Sequence, residues 1–265
     1  MGLTRVDHAR EAAFGEPGMF ICPSCGAGLS IRKRERATCP GCARVFACEQ
    51  GVVDFAHDRG PGSERAFYDE HYRRAGAALA AQDPAALARA WTGPDAPWEM
   101  QRVWARLGAI DGKTVLLLGN GESAAELHLL SANPRLLIYS DLSPVPLQAL
   151  SRELEARDNL MFAAIDALEL PLRDASVDLV YGFAFVHHLP DLDRFLAEVM
   201  RVLAPGGRAV FMDNGYSPLW QHVKLVWLRP LMWYSHRREP RSPEDVRGTR
   251  AGGLREELLA ARTRA

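Results

Sequence analysis

The sequence has no long hydrophobic run. Its first 20 residues hold no apolar stretch of signal-peptide length, and the most apolar stretch elsewhere, VKLVWLRPLMWY, is too short to span a bilayer and carries Lys224 and Arg229. We therefore expect a cytoplasmic protein without a transmembrane segment. Disulfides are rare in that reducing compartment, so the five cysteines need another explanation.

A strong net charge is also missing. The formal charge is −1, which excludes a global field that would attract nucleic acid, while 48% apolar and 25% charged residues are typical of a globular protein. The charge is uneven, however, because residues 214–265 contain ten Lys or Arg against five Asp or Glu. Solvated charge is the common explanation of such a segment, and contact with RNA or a membrane surface is the alternative.

Four of the cysteines form two CxxC pairs, CPSC and CPGC, that are separated by thirteen residues. Two such turns at this spacing are a strong signal for zinc, because four thiolates complete a tetrahedral shell. No ligand position is left open, so the zinc would be structural, and free thiols or a redox pair are the alternatives. The predicted metal ligands are Cys22, Cys25, Cys39 and Cys42.

The segment around these cysteines, residues 19–55, resembles the zinc-ribbon domains that precede some bacterial methyltransferases. It ends in the stretch ACEQGVVDF. It is also similar to the small zinc-ribbon activator subunit of tRNA and protein methyltransferases. The resemblance implies a ribbon domain over residues 1–56 that can dock on a partner protein.

Strands and helices alternate after residue 112, which predicts a parallel sheet with helical crossovers. We expect a linker and helical lid over residues 57–112, a core over 113–213 and a basic helical segment over 214–265. The expected strands are Thr114–Leu118, Leu136–Ser140, Leu160–Ala164, Val177–Gly182 and Arg208–Met212. The expected helices are Ala124–Leu130, Pro146–Ala156, Leu192–Leu203 and Leu219–Tyr234.

The first expected strand runs into the turn Gly119-Asn120-Gly121, where the glycines allow close approach of the backbone to a ligand. About twenty residues later, Asp141 follows the second strand, where a carboxylate can accept both hydroxyls of a ribose. Together these features predict an adenine nucleoside. The turn also fits the dinucleotide pattern G-x-G-x-x-A, so at this point NAD is an alternative.

The chain from Val115 to Asp213 closely resembles class I S-adenosylmethionine-dependent methyltransferases. The stretch RVLAPGG before the fifth strand is particularly characteristic of them, and ASVDLVYGFAFVHHLPDL keeps their spacing. The resemblance implies an α/β, Rossmann-like parallel-sheet fold that binds S-adenosyl-L-methionine. The implied cofactor contacts are Gly119, Asn120 and Gly121 for the methionine part, Asp141 and Leu142 for the ribose, Asp166 and Ala167 for the adenine, and Gly182 and Phe183 beside the methyl group. For both aspartates, a helix cap or turn acid is the structural alternative.

Two departures from the family pattern bear on activity. Leu117 replaces an acid that normally helps to position the ammonium end of the cofactor, and Ser123 replaces the third glycine; losing such a charge-assisted contact costs about 1.5–3 kcal/mol. We also cannot identify the two strands that usually complete the sheet, so either the fold is abbreviated, with an open sheet edge that invites a protein partner, or the gene product is shortened. A catalytically weak cofactor-binding partner protein is therefore one alternative function.

In methyl transfer the cofactor carries the activation, and a base is needed only when the acceptor must lose a proton. His187 is the candidate base in preference to His188, and packing is the alternative role of both. Tyr68, Tyr72 and Trp104 in the expected lid suit an apolar or planar acceptor, and helix packing explains them equally well. We predict a methyltransferase for a small-molecule or lipid-like acceptor, with ribosomal RNA as the alternative acceptor and an NAD-dependent oxidoreductase as a third hypothesis.

Overall fold

The structure is a computed structural model that describes residues 14–32, 35–56, 60–79, 90, 96–121, 125–153 and 157–213. All elements named below belong to the compact unit of residues 1–212. Among the described residues, no helix combines the length and the apolar character needed to cross a bilayer.

Two short antiparallel hairpins form most of the ribbon. β1 pairs with β2, and β3 pairs with β4. Each hairpin carries one CxxC pair in its connecting turn. The strand bounds are β1 Phe20–Ile21, β2 Gly28–Leu29, β3 Ala37–Thr38 and β4 Val45–Phe46.

A seven-stranded sheet follows, with the strand order β11-β10-β7-β8-β9-β6-β5. Its neighbouring strands are parallel except for β5 and β6. The bounds are β5 Cys48–Glu49, β6 Val52–Asp54, β7 Thr114–Leu118, β8 Leu136–Asp141, β9 Leu160–Ala164, β10 Val177–Phe183 and β11 Leu203–Met212. Strands β7 to β11 confirm the predicted parallel sheet of an α/β, Rossmann-like fold.

The last of these strands begins earlier than expected, at Leu203 instead of Arg208. A register shift between Val177 and Leu179 of β10 accommodates the additional residues. Gly206, with φ 77°, lies in this irregular part of β11. The predicted strand began only after the pair Gly206-Gly207, because glycine usually marks a turn.

The helices cover both faces of the sheet. They are α1 Glu64–Leu79, α2 Trp98–Leu107, α3 Pro144–Glu153 and α4 Leu192–Val202, with 3-10 helices at Ala125–Ala132 and Val186–His188. The helix expected at Ala124–Leu130 is therefore the first 3-10 helix, and those expected at Pro146–Ala156 and Leu192–Leu203 correspond to α3 and α4. Ser63 caps α1, as its position before the helix predicts, because its Oγ accepts the Ala66 N–H at 3.2 Å.

Strands β7, β8 and β9 are buried at every position, as expected for a parallel sheet covered on both faces. One face, which includes Leu116 and Ile138, packs against the ribbon and α4. The opposite face, which includes Leu117 and Tyr139, packs against α2, α3 and the first 3-10 helix. The alternation of side chains along the strands divides the core into these two layers.

The ribbon contributes two strands to the sheet, which the sequence analysis did not predict. β6 lies parallel to β9, with Val52 opposite Phe162. Beyond the end of β6, the N–H groups of Phe55 and Ala56 both donate to the Ala164 carbonyl, at 2.9 and 3.1 Å. The ribbon therefore covers the edge that β9 would otherwise expose.

The two strands that were not identified in the sequence would follow β11, in residues 214–265. These residues, with the predicted helix Leu219–Tyr234, lie outside the described part of the chain. The boundaries predicted at residues 56, 112 and 213 stay predictions, although β5 and β6 from the first segment share one sheet with the third.

Candidate functional site

The four predicted metal ligands come together between the two hairpins. Their Sγ atoms all lie within 4.8 Å of one another. Cys22 Sγ is 3.7 Å from Cys42 Sγ, and Cys25 Sγ is 3.4 Å from Cys39 Sγ. Sulfurs bound at about 2.3 Å around a tetrahedral zinc ion stand about 3.8 Å apart, so the cluster fits this metal.

Backbone amides face the thiol of Cys39. The Gly41 N–H donates to Cys39 Sγ at 3.3 Å. Burial raises the pKa of this thiol, but hydrogen bonds from the amides of Cys42 and Gly41, together with those from the thiols of Cys25 and Cys42, lower the pKa to about 6. These contacts therefore favour the thiolate of Cys39, which is the form that binds a metal.

The turn after β7 requires its two glycines for conformation and for space. Gly119 has φ 65° and Gly121 has φ 45°, in the left-handed region that side chains disfavour. A Cβ atom at Gly119 would lie 2.3 Å from Phe185 Cγ, and one at Gly121 would lie 2.4 Å from Tyr72 Oη. Side chains from the loop after β10 and from α1 thus approach the bare backbone of the turn.

Asp141, the last residue of β8, holds this turn in place. Its Oδ2 accepts the Gly121 N–H at 2.9 Å, and its Oδ1 accepts the Ser143 N–H at 3.0 Å. The pKa of Asp141 is raised to about 6, chiefly because the carboxyl is buried and to a smaller extent because Asp69 is near. The amides of Ser143, Gly121 and Leu142 act in the opposite direction and lower it. Each carboxylate oxygen retains acceptor capacity, which suits a ligand with two adjacent hydroxyl groups.

Asn120, between the two glycines, is only 5% exposed. Neither its Nδ2 nor its Oδ1 has a hydrogen-bond partner in the described part of the chain. A buried polar group without a partner costs about 1–3 kcal/mol, so this amide indicates a ligand that pairs with it. The hydroxyl of Tyr68 on α1 is also buried without a hydrogen-bond partner among the residues that the structure describes. Burial raises the pKa of Tyr68, and the nearby carboxyl groups of Glu64 and Asp141 raise it as well.

Asp166 follows β9 at the same edge of the sheet. Its Oδ1 accepts the Leu168 N–H at 2.9 Å, which is the bond of a turn acid. The N–H of the residue before Asp166 donates to the Asp141 carbonyl at 2.8 Å, which ties the two strand ends together. Leu142 and Ala167, each next to one of the aspartates, are both half-buried beside them.

Strand β10 brings Gly182 and Phe183 to this edge. Gly182 lies opposite Leu118 of β7. A Cβ at Gly182 would lie 2.2 Å from Phe185 Cε1, so packing alone already requires a glycine. Ala184 has φ 53°, an uncommon value for a residue with a side chain, and the chain turns there into the second 3-10 helix.

His187 and His188 occupy this 3-10 helix, and both are half-buried. Their ring centroids are 3.9 Å apart. His188 also meets the edge of the Tyr68 ring of α1 at 6.1 Å. His188 therefore packs on Tyr68, as the alternative role of the histidines predicted. His187 lies beside His188, beyond the end of β10.

The sequence analysis missed three polar residues near the site, which are Ser143, its partner Asp69 and Glu126. Ser143, fully buried, donates its Oγ–H to Asp69 Oδ1 at 2.5 Å, and its Oγ accepts the Val145 N–H at the start of α3. A serine directly before a proline that begins a helix is a capping signal, which could have identified it. Glu126 is fully buried in the first 3-10 helix, and nothing in AAELHLL distinguishes it from a surface glutamate.

A parallel sheet with a glycine turn on one strand and acids after the next two is the arrangement with which many α/β folds bind a nucleotide. Residues 116–211 match the family model of a methyltransferase domain. This part of the chain therefore matches a methyltransferase domain, and the predicted cofactor residues all lie inside the matched range. This confirms the family resemblance found in the sequence.

Several characterised proteins are similar to this domain. The 27-O-demethylrifamycin SV methyltransferase of Amycolatopsis mediterranei is 33% identical over 98 residues, 36% of this chain and 35% of the relative. A malonyl-(acyl-carrier protein) O-methyltransferase of a Marinomonas species is 38% identical over 133 residues, 48% of this chain and 47% of the relative. The chain thus spans half or less of the length of these relatives.

One similar solved structure is a complex between the Haloferax volcanii Trm112 methyltransferase activator and a methyltransferase. It is 28% identical, covers 47% of this chain and 55% of that chain, and has a TM-score of 0.42. A TM-score of this size adds nothing to the family assignment.

Proposed function

We propose that the chain is an S-adenosylmethionine-dependent methyltransferase that acts on a small molecule or a lipid-like metabolite. The carrying observation is Asp141, a buried carboxylate that accepts one backbone amide on each oxygen at the edge of the methyltransferase domain. The amide of Asn120 in the adjacent turn, which has no hydrogen-bond partner among the described residues, supports a ligand at the same place. When bound, the cofactor supplies an activated methyl group, so the task of the protein is to hold and orient it.

In this proposal the residues at the end of each strand contact a different part of the cofactor. Ligands of open parallel sheets bind outside the carboxyl ends of the strands, where these residues lie. The proposed contacts are Gly119, Asn120 and Gly121 for the methionine part, Asp141 and Leu142 for the ribose hydroxyls, Asp166 and Ala167 for the adenine, and Gly182 and Phe183 beside the methyl group.

The relatives support the acceptor class. One relative is named for a 27-O-demethylrifamycin, and another is named as an O-methyltransferase of a malonyl group on an acyl carrier protein. Both names point to an oxygen atom as the methyl acceptor. A hydroxyl acceptor loses a proton during transfer, and His187 is the proposed base for that proton. Tyr68, whose ring meets His188, lies on the helix that would cover such an acceptor.

The proposed metal is a structural zinc ion held by the four ribbon cysteines. The sulfur positions fit tetrahedral ligation, and all four ligand positions are supplied by thiolates. Zinc would stabilise the two hairpins, whose strands are only two residues long.

A catalytically weak cofactor-binding partner protein is the second candidate, because Leu117 stands where an acid would assist the cofactor. Ribosomal RNA is the alternative acceptor, and its motivation is the basic segment 214–265. Radiolabelled methyl transfer into fractionated lysate separates these functions. Label in a small-molecule fraction supports the proposal, label in RNA supports the alternative acceptor, and cofactor binding without transfer supports the partner protein.

Calorimetry tests the cofactor site directly, with S-adenosylmethionine, S-adenosylhomocysteine and NAD as ligands. Asp141→Ala should weaken S-adenosylhomocysteine binding about tenfold or more, because two charge-assisted hydrogen bonds are lost. Asp178→Ala is the matched control, since Asp178 Oδ2 accepts the Thr114 N–H at 2.8 Å at the opposite end of the sheet. Unchanged affinity in Asp141→Ala would refute the ribose contact, and binding of NAD alone would refute the cofactor.

A further inference from the structure

Helix α1 is attached to the ribbon by Arg65 in its first turn. Arg65 Nη1 donates to Asp54 Oδ1 at 2.8 Å, and Nη2 donates to Asp54 Oδ2 at 2.5 Å. Nη1 also donates to the Ala56 carbonyl at 2.6 Å. The side chain of Arg65 is 12% exposed and that of Asp54 is 26% exposed, so this two-point ion pair is largely shielded from water.

One turn further along, α1 is attached to the residues that follow β8, the strand that ends in Asp141. Asp69 Oδ1 accepts the Ser143 Oγ–H at 2.5 Å, and Asp69 Oδ2 lies 3.8 Å from Arg65 Nε. Ser143 donates its N–H to Asp141 Oδ1. Tyr72 then places its hydroxyl against Gly121. Residues 65, 69 and 72 are spaced by four and three, so they lie on one face of the helix.

The ribbon end of this chain of contacts rests on the cysteine hairpins. Phe55, next to Asp54, stacks on Phe20 of β1 with centroids 5.9 Å apart and packs on Phe46 of β4 at 5.3 Å. Phe20 lies two residues before Cys22. The position of the Asp54 carboxylate therefore depends on the same two hairpins that the metal would hold together.

We propose that Arg65 is a positioning residue that couples the zinc ribbon to the cofactor site. The folded ribbon fixes Asp54, Asp54 fixes Arg65, and α1 then presents Asp69 and Tyr72 to Asp141 and Gly121. The ribbon acts within its own chain, as a support for the helix over the cofactor. This inference rests on the proposed function, because the ligand of the coupled site is S-adenosylmethionine or its product.

Coupling between two sites is reciprocal, which gives a measurement independent of catalysis. If zinc in the ribbon strengthens cofactor binding by some factor, the cofactor must strengthen zinc binding by the same factor. The apparent zinc affinity is measured by equilibrium competition with a chromogenic chelator, with and without saturating S-adenosylhomocysteine. We expect the ligand to raise zinc affinity about fivefold or more in the unaltered protein.

Arg65→Met should abolish this linkage and weaken S-adenosylhomocysteine binding to the zinc-loaded protein by a similar factor. Asp54→Asn is the second variant, because it keeps the shape of the partner and removes its charge. Arg74→Met is the matched control, since Arg74 is 76% exposed and its ion pair is with Glu70 of the same helix. Zinc content and circular dichroism of each variant report whether it folds.

The outcomes separate this inference from the proposed function. If S-adenosylhomocysteine binds the unaltered protein with no effect on zinc affinity, the coupling is refuted and the proposed function stands. If Arg65→Met weakens binding but keeps the full zinc linkage, Arg65 only supports the helix and the inference is wrong. If the unaltered protein does not bind the ligand at all, the proposed function fails, and the inference fails with it.

Discussion

Acidification should weaken cofactor binding through Asp141. Its pKa in the ligand-free protein is raised to about 6, chiefly because the carboxyl is buried. The proposed ribose hydroxyls donate to the ionised carboxylate, so the ligand selects that form and lowers the pKa when it binds. Binding is therefore independent of pH well above 6 and weakens progressively as the pH falls below 6.

The magnitude follows from the fraction of Asp141 that is ionised. With a pKa of about 6, nearly all carboxyls are charged at pH 8, and about one in ten is charged at pH 5. The dissociation constant of S-adenosylhomocysteine should therefore be about tenfold higher at pH 5 than at pH 8, which corresponds to about 1.4 kcal/mol.

Calorimetric titrations at half-unit pH intervals from 5 to 8 measure this profile. Asp141→Asn is the decisive control, because the amide keeps the size of the side chain but cannot ionise, and any remaining pH dependence belongs to other groups. A flat profile in the unaltered protein, or the same profile in Asp141→Asn, would show that the ionised Asp141 does not hold the ligand.

The raised pKa of Asp141 also makes the stability of the fold depend on pH. The sign is opposite to that of a salt-bridged acid, whose pKa is lowered in the folded protein. The folded protein binds more protons than the unfolded chain between the ordinary pKa of 3.8 and about 6, so stability falls as the pH rises through that window. The difference of about two pKa units corresponds to about 3 kcal/mol. In the ligand-free protein, chemical denaturation should show this decline, and Asp141→Asn should lack it.

Two further predictions concern the ribbon and the glycine turn. Elemental analysis should find about one zinc per chain, with Cys39→Ser losing it, and a native protein without metal would contradict the ribbon assignment. Gly119→Ala should lower the free energy of unfolding by about 2–4 kcal/mol, because its Cβ would meet Phe185 at 2.3 Å in addition to the strain of φ 65°. Gly60→Ala, at φ 79° and with no atom of the described residues within 4 Å of the added Cβ, should cost only about 1–2 kcal/mol. Equal losses in urea denaturation would show that Phe185 does not constrain the turn.

Local patterns predicted the strands that carry the site. Buried parallel strands have continuous apolar sequences, and the residue after such a strand is fixed at the edge of the sheet, so Gly119 and Asp141 could both be placed from the sequence. The cysteine pairs were equally local, because a metal shell requires a fixed spacing within each turn. Both residues lie within the range that matches the methyltransferase domain, and their contacts with a cofactor stay predictions.

Contacts between distant segments could not be predicted in this way. Val52 pairs with Phe162, more than a hundred residues away, and a three-residue strand has no periodicity that distinguishes it from a loop. The Arg65–Asp54 ion pair was missed with it, because Asp54 is the last residue of that unpredicted strand. The spatial neighbours of Gly119 and Gly182 were missed for a similar reason, since Phe185 reads in the sequence as one apolar residue of a loop.

The leucine in place of the family acid has a physical explanation in the sheet register. Leu117 lies directly between Tyr139 on β8 and Tyr181 on β10, and all three are fully buried. After burial itself, the carboxyl of Glu126 is the largest influence that raises the pKa of both tyrosines, and Asp141 also acts on Tyr139. An aspartate at position 117 would thus bring a third carboxyl group into a space that already has two.

Like charges at short range oppose one another's ionisation, and a buried charge without compensation is costly. The leucine avoids that cost without removing acidic groups from the neighbourhood of the turn. The hypothesis of a weakened, non-catalytic pocket was based on the acid missing from one position of the sequence. Since Glu126 and Asp141 both act on the residue beside Leu117, the absence of an acid at position 117 does not mean the absence of acidic groups around the site.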